Sequence, residues 1–220
     1  MVEAAKNLLL IFSALFPIVN PLGGSPVFLA LTREFSPEAR KALSRRVAIN
    51  SFFLLVGSYF IGTHILSFFG ISLPVVQVGG GLIVISNGWA MLKQPDNDVR
   101  SEAHKEASQQ DPLRQAFYPL TLPLTVGPGS ISVAITLGVN VARHPGVNLL
   151  VLPAALIASA LIALSIYLCY SFADRLARVV GATAMNVILR LSSFLLVCIG
   201  VQILWNGASA LLTSLPTHTH

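Results

Sequence analysis

Charge is scarce in this 220-residue chain, and its absence from long stretches is informative. Only 10% of residues are Asp, Glu, Lys or Arg, against 54% hydrophobic, and the mean hydropathy is +0.74. A soluble domain carries roughly a quarter charged residues, so that class is excluded. Between Val47 and Leu92 there is no charged residue at all, which leaves room for two membrane spans of about 20 residues each and a tight turn. No Asp or Glu lies well inside an apolar segment, Glu3 and Asp174 falling near ends, which argues against a carboxylate proton relay. The two cysteines, Cys169 and Cys198, both sit in apolar runs, which argues against a disulfide framework. There is no G-x-S-x-G elbow, no H-E-x-x-H and no P-loop, so an enzymatic reading finds little support, and no cofactor or metal is expected.

What the chain does have is proline in a repeated pattern. Pro17, Pro21 and Pro26 recur as Pro119, Pro123 and Pro128, each pair 102 residues apart. Both ladders lie in apolar stretches, FSALFPIVNPLGGSPVFLALT and AFYPLTLPLTVGPGSISVAITLG. Proline removes a backbone donor and clashes with the carbonyl one turn back, so each ladder predicts a broken helix. In lipid a broken helix survives only where protein or a water-filled cavity satisfies the freed groups. Interrupted segments in corresponding places of two halves point to a solute-binding site.

The apolar segments predict a single all-α membrane domain over residues 1–220, with six spans at roughly 4–31, 47–68, 73–92, 113–140, 148–172 and 187–212. Residues 1–92 form the first three-helix repeat and 113–213 the second, joined by a polar linker over 93–112; helices one and four are the interrupted ones. Three spans per half is an odd number, so the repeats are expected to be inverted. Further echoes are Gly70-Ile71-Ser72 with Gly181-Ala182-Thr183, and Asn87-Gly88 with Asn206-Gly207, at offsets other than 102. Ser36-Pro37 and Asp111-Pro112 read as a helix cap followed by a first-position proline. Of the 14 basic residues, eleven fall on the linker side, Lys6 and Arg143 on the other, and Arg190 within a span. That distribution places both termini outside and explains the net charge of +5 as a topology signal, with no nucleic-acid partner expected. The apolar run after Lys6 is followed by FPIVNPLGG where a signal peptide needs small residues for cleavage, so it reads as a retained helix.

At the breaks, Ser25-Pro26 and Gly127-Pro128 have the residues of two helix starts in mid-membrane, which would present N–H groups and partial positive charge. Gly23, Gly24, Gly127 and Gly129 allow close approach, and Asn20, Ser25, Thr125 and Ser130 add neutral hydrogen-bonding groups. A small zwitterion suits such a site. The competing readings are proline kinks without a ligand, a pore, or a non-transporting scaffold or regulatory subunit. Arg190 costs at least about 2.5 kcal/mol at a helix centre; it would either hold a substrate carboxylate or carbonyl cluster, or snorkel to the surface beside Asp174. His64 reads as interfacial, and Gly79-Gly80-Gly81 with Ala154, Ala158 and Ser159 as helix contact faces.

The segments NPLGGSPVFLALT, FGISLPVVQVGGGLIV, PLTLPLTVGPGSI and RLSSFLLVCIGVQILWNG resemble, in order and over nearly the whole chain, the signatures of the MarC (UPF0056) family of integral inner-membrane proteins. The resemblance implies a six-span transporter of small neutral amino acids such as glycine or alanine. By position it places the family's breaks on Asn20 to Pro26 and Pro123 to Ser130, and its last-span arginine on Arg190. Gln77 stands where close relatives often carry arginine, which puts a paired-arginine role with Arg190 in doubt, and Ser192-Ser193 replaces a common Met-Gly.

Overall fold

A computed structural model describes residues 2–93, 115–142 and 148–214. Among them the chain is helical throughout: α1 (Val2–Val19), α2 (Pro21–Leu31), α3 (Pro37–Phe68), α4 (Leu73–Lys93), an irregular wide-turned α5 (Ala116–Thr125), α6 (Pro128–Ala142), α7 (Asn148–Ser171) and α8 (Ala173–Thr213). Five stretches are long and apolar enough to cross a membrane, Ala5–Leu31 among them, and the bent pair α5–α6 makes a sixth if counted as one span. The linker and its Asp111-Pro112 signal lie outside the described residues, as does Arg143.

Local chemistry sets the helix ends. Ser36 accepts a hydrogen bond from Ala39 N at 3.2 Å and Pro37 takes the first helical position, so α3 begins in the polar connector and runs on into the apolar segment. The chain leaves α3 through Gly70 (φ 66°) and approaches the apolar part of α8 through Gly181 (φ 79°), conformations that glycine adopts without a Cβ penalty.

α4 and α8 run antiparallel at the closest distance backbones allow. A Cβ on Gly81 would stand 2.6 Å from Leu204 N and 2.8 Å from Gly200 O; one on Gly88 would stand 2.9 Å from Ser193 O, and one on Gly207 2.6 Å from Pro74 O. Small residues do this in lipid, where tails are as apolar as leucine and close packing drives association. The other helices pack around a core of Leu15, Phe28, Val47, Leu55, Leu120, Ile162, Ile166 and Tyr170, all buried. At one end Arg40, itself buried, forms an ion pair with Asp174 and donates from Nη2 to Thr32 O at 3.1 Å. It thereby ties the α2–α3 turn to the start of α8.

The two proline ladders fold differently from one another and from the expected pattern. In the first ladder the chain departs from helix at Asn20 (φ 47°, ψ 60°), and Pro21, not Pro26, takes the first position of α2. Ser25 and Pro26 lie inside α2, and Ser25 donates its hydroxyl to Cys169 O at 3.1 Å. The expected helix start at Ser25-Pro26 is therefore corrected to Asn20-Pro21, because asparagine both tolerates the left-handed region and caps. In the second ladder Tyr118 (φ −124°, ψ 125°) and Leu122 (φ −109°, ψ 128°) are extended ahead of Pro119 and Pro123, as the clash with a following proline ring dictates. Pro17, by contrast, is accommodated inside α1.

The glycine contacts predict a contrast between two alanine substitutions. Gly81→Ala should lower stability by about 1–3 kcal/mol through overpacking, whereas a Cβ on Gly57 meets nothing within 4 Å and Gly57→Ala should be neutral or mildly stabilising. Thermal unfolding of the two detergent-purified variants checks this; equal responses would contradict the close α4–α8 contact.

Candidate functional site

The site grows from Asn20. Its backbone bend ends α1, and its side-chain Oδ1 accepts the Gly23 N–H at 3.1 Å while its carbonyl accepts Gly24 N at 2.9 Å. These two bonds consume donors of the α2 start, so the first break does not offer a row of open N–H groups. What it offers is the Asn20 amide nitrogen: with Oδ1 committed, Nδ2 lies over the bare Cα of Gly23, buried and without a partner.

Across from it, Pro128 starts α6, and Gly127 O accepts Ile131 N at 3.1 Å and the Ser130 hydroxyl at 2.9 Å. The wide turns before it are held by threonine: Thr121 donates to Ala116 O at 2.6 Å and Thr125 to Leu120 O at 2.7 Å, carbonyls five residues back. The first-turn N–H groups of α6 have no acceptor within their own helix.

Between the breaks lies a cavity of about 70 Å³ bounded by Ile18, Val19, Asn20 and Gly24 on one side and Pro123 to Thr125, Gly127, Gly129 and Ser130 on the other, with Val84, Asn87 and Met91 of α4 and Leu196 of α8 closing it. Of the residues expected at the site, Asn20, Gly24, Thr125, Gly127, Gly129 and Ser130 meet here. Gly23 and Ser25 stand behind the wall, Gly23 bonded to Asn20 and Ser25 to α7. Arg190 is exposed on α8 and does not border the cavity. The lining carries no charged side chain; its chemistry is amide, hydroxyl and peptide, which suits a small neutral solute with both donor and acceptor groups.

Residues that sequence reasoning did not assign to the site are Asn87, Met91 and Tyr170. Asn87 was legible only as half of the Asn-Gly echo with Asn206. Tyr170 is fully buried behind the first break, its ring stacked on Phe28 at 4.4 Å and its hydroxyl 3.0 Å from Thr125 Oγ1. Since the Thr125 proton goes to Leu120 O, the phenol is the donor of that pair, and it joins α7 to the second break. A Cβ on Gly24 would stand 2.6 Å from the Tyr170 oxygen, with the next ring atom at 3.5 Å.

A helical chain with five or six stretches long and apolar enough to cross a bilayer has the build of a multi-pass membrane protein. Residues 5–212 match the MarC family of integral membrane proteins, and the chain belongs to that family. It is similar to the UPF0056 inner membrane protein MarC of Citrobacter koseri, 32% identical over 217 residues covering 94% of this chain and 96% of the relative. It is also similar to a UPF0056 membrane protein of Archaeoglobus fulgidus, 31% identical over 206 residues (93% of each), and to the UPF0056 membrane protein YvbG of Bacillus subtilis, 30% identical over 200 residues (90% and 92%). No solved structure matches the chain.

The Gly24–Tyr170 contact predicts a rescue. Tyr170→Phe alone should cost about 0.5–1.5 kcal/mol, the usual net value of one hydrogen bond. Gly24→Ala should destabilise the native protein yet be largely tolerated in the Tyr170→Phe background, because the clashing oxygen is gone. A double-mutant cycle by thermal unfolding should show coupling of about 1 kcal/mol or more; strict additivity would mean the two residues do not touch.

Proposed function

We infer that this protein is a secondary transporter of small neutral amino acids, built from two inverted three-helix repeats, with the solute held between the helix breaks. The observation that carries this reading is Asn20, which borders an uncharged cavity and whose amide nitrogen is buried without a partner. An unpaired buried donor costs about 1–3 kcal/mol, a cost that a bound carboxylate oxygen removes. The N-terminal end of α6 adds partial positive charge beside it, and peptide carbonyls freed by the prolines suit an ammonium group. A zwitterion with a small side chain meets both needs in about 70 Å³; a larger one does not fit without rearrangement.

Packing supports the inverted repeats. In α3 the buried positions Leu43, Ser44, Val47, Ala48, Ser51, Leu55, Tyr59 and Gly62 each have a buried counterpart 111 residues on, from Ala154 to Ala173. In α4 and α8 the interlocking glycines repeat at 119, Gly81 with Gly200 and Gly88 with Gly207. In that register Gln77 corresponds to Leu196, so Gln77 is not the repeat counterpart of Arg190, which belongs to an N-terminal extension of the last helix. Neighbour relations are also duplicated: α1 packs on α7 as α5 packs on α3, and α2 on α8 as α6 on α4. The basic-residue distribution sets both termini outside, which in the inner membrane that the relatives' names specify is the periplasmic side. Lipid covers the outward apolar faces, and association of copies in that plane is compatible with them.

Reconstituted protein should exchange labelled glycine or alanine saturably across liposomes. Asn20→Asp keeps the cap acceptor but removes the open donor and sets a like charge against the substrate carboxylate. It should cut exchange by roughly 10- to 100-fold, the equivalent of the about 1.5–3 kcal/mol of a hydrogen bond to a charged group, without loss of folded protein. Non-saturable flux would make the protein a pore, and no flux of any small neutral amino acid would leave a scaffold.

A further inference from the structure

A second cavity, of about 340 Å³, lies on the N-terminal side of the first and is bounded by α1, α4, α6 and α8. Its polar lining is uncharged: Ser13, Gln77, Thr136, Gln202 and Asn206. Gln77 donates to Thr136 Oγ1 at 3.3 Å, and Gln202 donates to Asn206 Oδ1 at 2.9 Å. Ile18 borders both cavities.

The two cavities are related by the register of the α4–α8 glycines. Moving 119 residues along the chain takes Val84 to Ile203 and Asn87 to Asn206, and moving back takes Leu196 to Gln77. Val84, Asn87 and Leu196 line the first cavity; Ile203, Asn206 and Gln77 line the second. Three of the four residues that α4 and α8 give to one cavity therefore have their counterparts in the other, the fourth being Met91. The Asn-Gly echo has its use here: in each repeat the glycine packs against the facing helix and the asparagine before it turns to a cavity.

We propose that the Gln77–Thr136–Asn206 cavity is a second binding site for the same solute class, a small zwitterionic amino acid, reached from the N-terminal side and separated from the Asn20–Asn87 site by Ile18. The proposal rests on the transporter reading and adds a twin site to it. Amide and hydroxyl groups that both donate and accept can serve a carboxylate and an ammonium at once, and the absence of a charged lining side chain in either cavity sets the same preference in both. The unequal volumes put the structure in a state that is roomy on the N-terminal side and tight on the other. Passage would then consist of exchanging the two environments around Ile18.

Single cysteines test this in a Cys169→Ser, Cys198→Ala background. N206C should react with a membrane-impermeant thiol reagent added on the N-terminal side and N87C with reagent on the opposite side, and glycine or alanine should slow both reactions at least threefold. Gln77→Leu should raise the half-saturating amino-acid concentration about tenfold for uptake from the N-terminal side and less than twofold from the other, a sidedness that a general folding defect cannot produce. Exchange with protection of N87C but not N206C, or a Gln77→Leu effect equal on both sides, would overturn the second site and leave the transporter reading standing. Absence of exchange together with absence of protection at both cysteines would remove the transporter reading and the twin site with it.

Discussion

Every peptide group inside a bilayer has to find its partner within the protein, and this requirement shapes the region where the chain is least helical. Three prolines per ladder remove donors, and the structure returns what it can with side chains of the same segments. Asn20 caps α2 from its own Oδ1 and carbonyl, Thr121 and Thr125 reach back to carbonyls five residues away, and Gly127 O takes both Ile131 N and the Ser130 hydroxyl. The hydroxyl groups that make these bonds, on Thr121, Thr125 and Ser130, are buried, whereas Tyr118 at the start of α5 is exposed. Once these local bonds are made, the Asn20 amide nitrogen is left over. On the transporter reading, structural necessity and the capacity to bind would arise from the same residues.

Rigidity around the breaks comes from contacts too close to slide. Glycine places α4 against α8 backbone to backbone, and the same device recurs where Gly138 of α6 approaches the Tyr59 carbonyl and Gly62 of α3 approaches Ile135. Tyr170 then fills the space beside Gly24 and fixes the distance between the first break and Thr125 in the second. At the polar end, Arg40 draws the carbonyls of Thr32 and Phe35 and the carboxylate of Asp174 to one guanidinium. A bent helix held at so many points keeps a defined cavity.

Much of this was legible before any coordinates. Charge distribution and span length gave the helical membrane class, Ser36-Pro37 gave the start of α3, and the ladders pointed to the segments that line the cavity. The peptide unit at which each ladder breaks was not legible, because it depends on partners distant in sequence: Pro26 stays helical where Ser25 reaches Cys169 O, while Leu122 and Tyr118 become extended where threonine hydroxyls compensate. One local signal was available and under-used. Of Phe16, Asn20 and Ser25, the residues before the three prolines of the first ladder, asparagine is the one that best tolerates the left-handed region. Tyr170 carried no local signal at all; it stands out only when α3 and α7 are aligned by their buried faces, which sets it opposite Tyr59. Arg190 lies within the apolar stretch Ala184–Thr213, as its place in the sequence suggests, but on an exposed face of α8 away from the cavity, a placement set by helix packing and not by local sequence.

Equal ladders in unequal conformations have a physical meaning. The proline spacing is the same in both ladders, yet Ala5–Leu31 counts as one apolar stretch across Asn20 while α5 and α6 meet at 69°. The same inequality appears in the two tyrosines: the Tyr170 hydroxyl is bonded to Thr125, whereas the Tyr59 hydroxyl is buried with no partner. It appears again in the cavities, about 340 Å³ on the N-terminal side and about 70 Å³ on the other. Like proline spacing therefore does not by itself fix the shape: the residues between the prolines, asparagine in one ladder and threonine in the other, and the contacts each segment makes take part in deciding it.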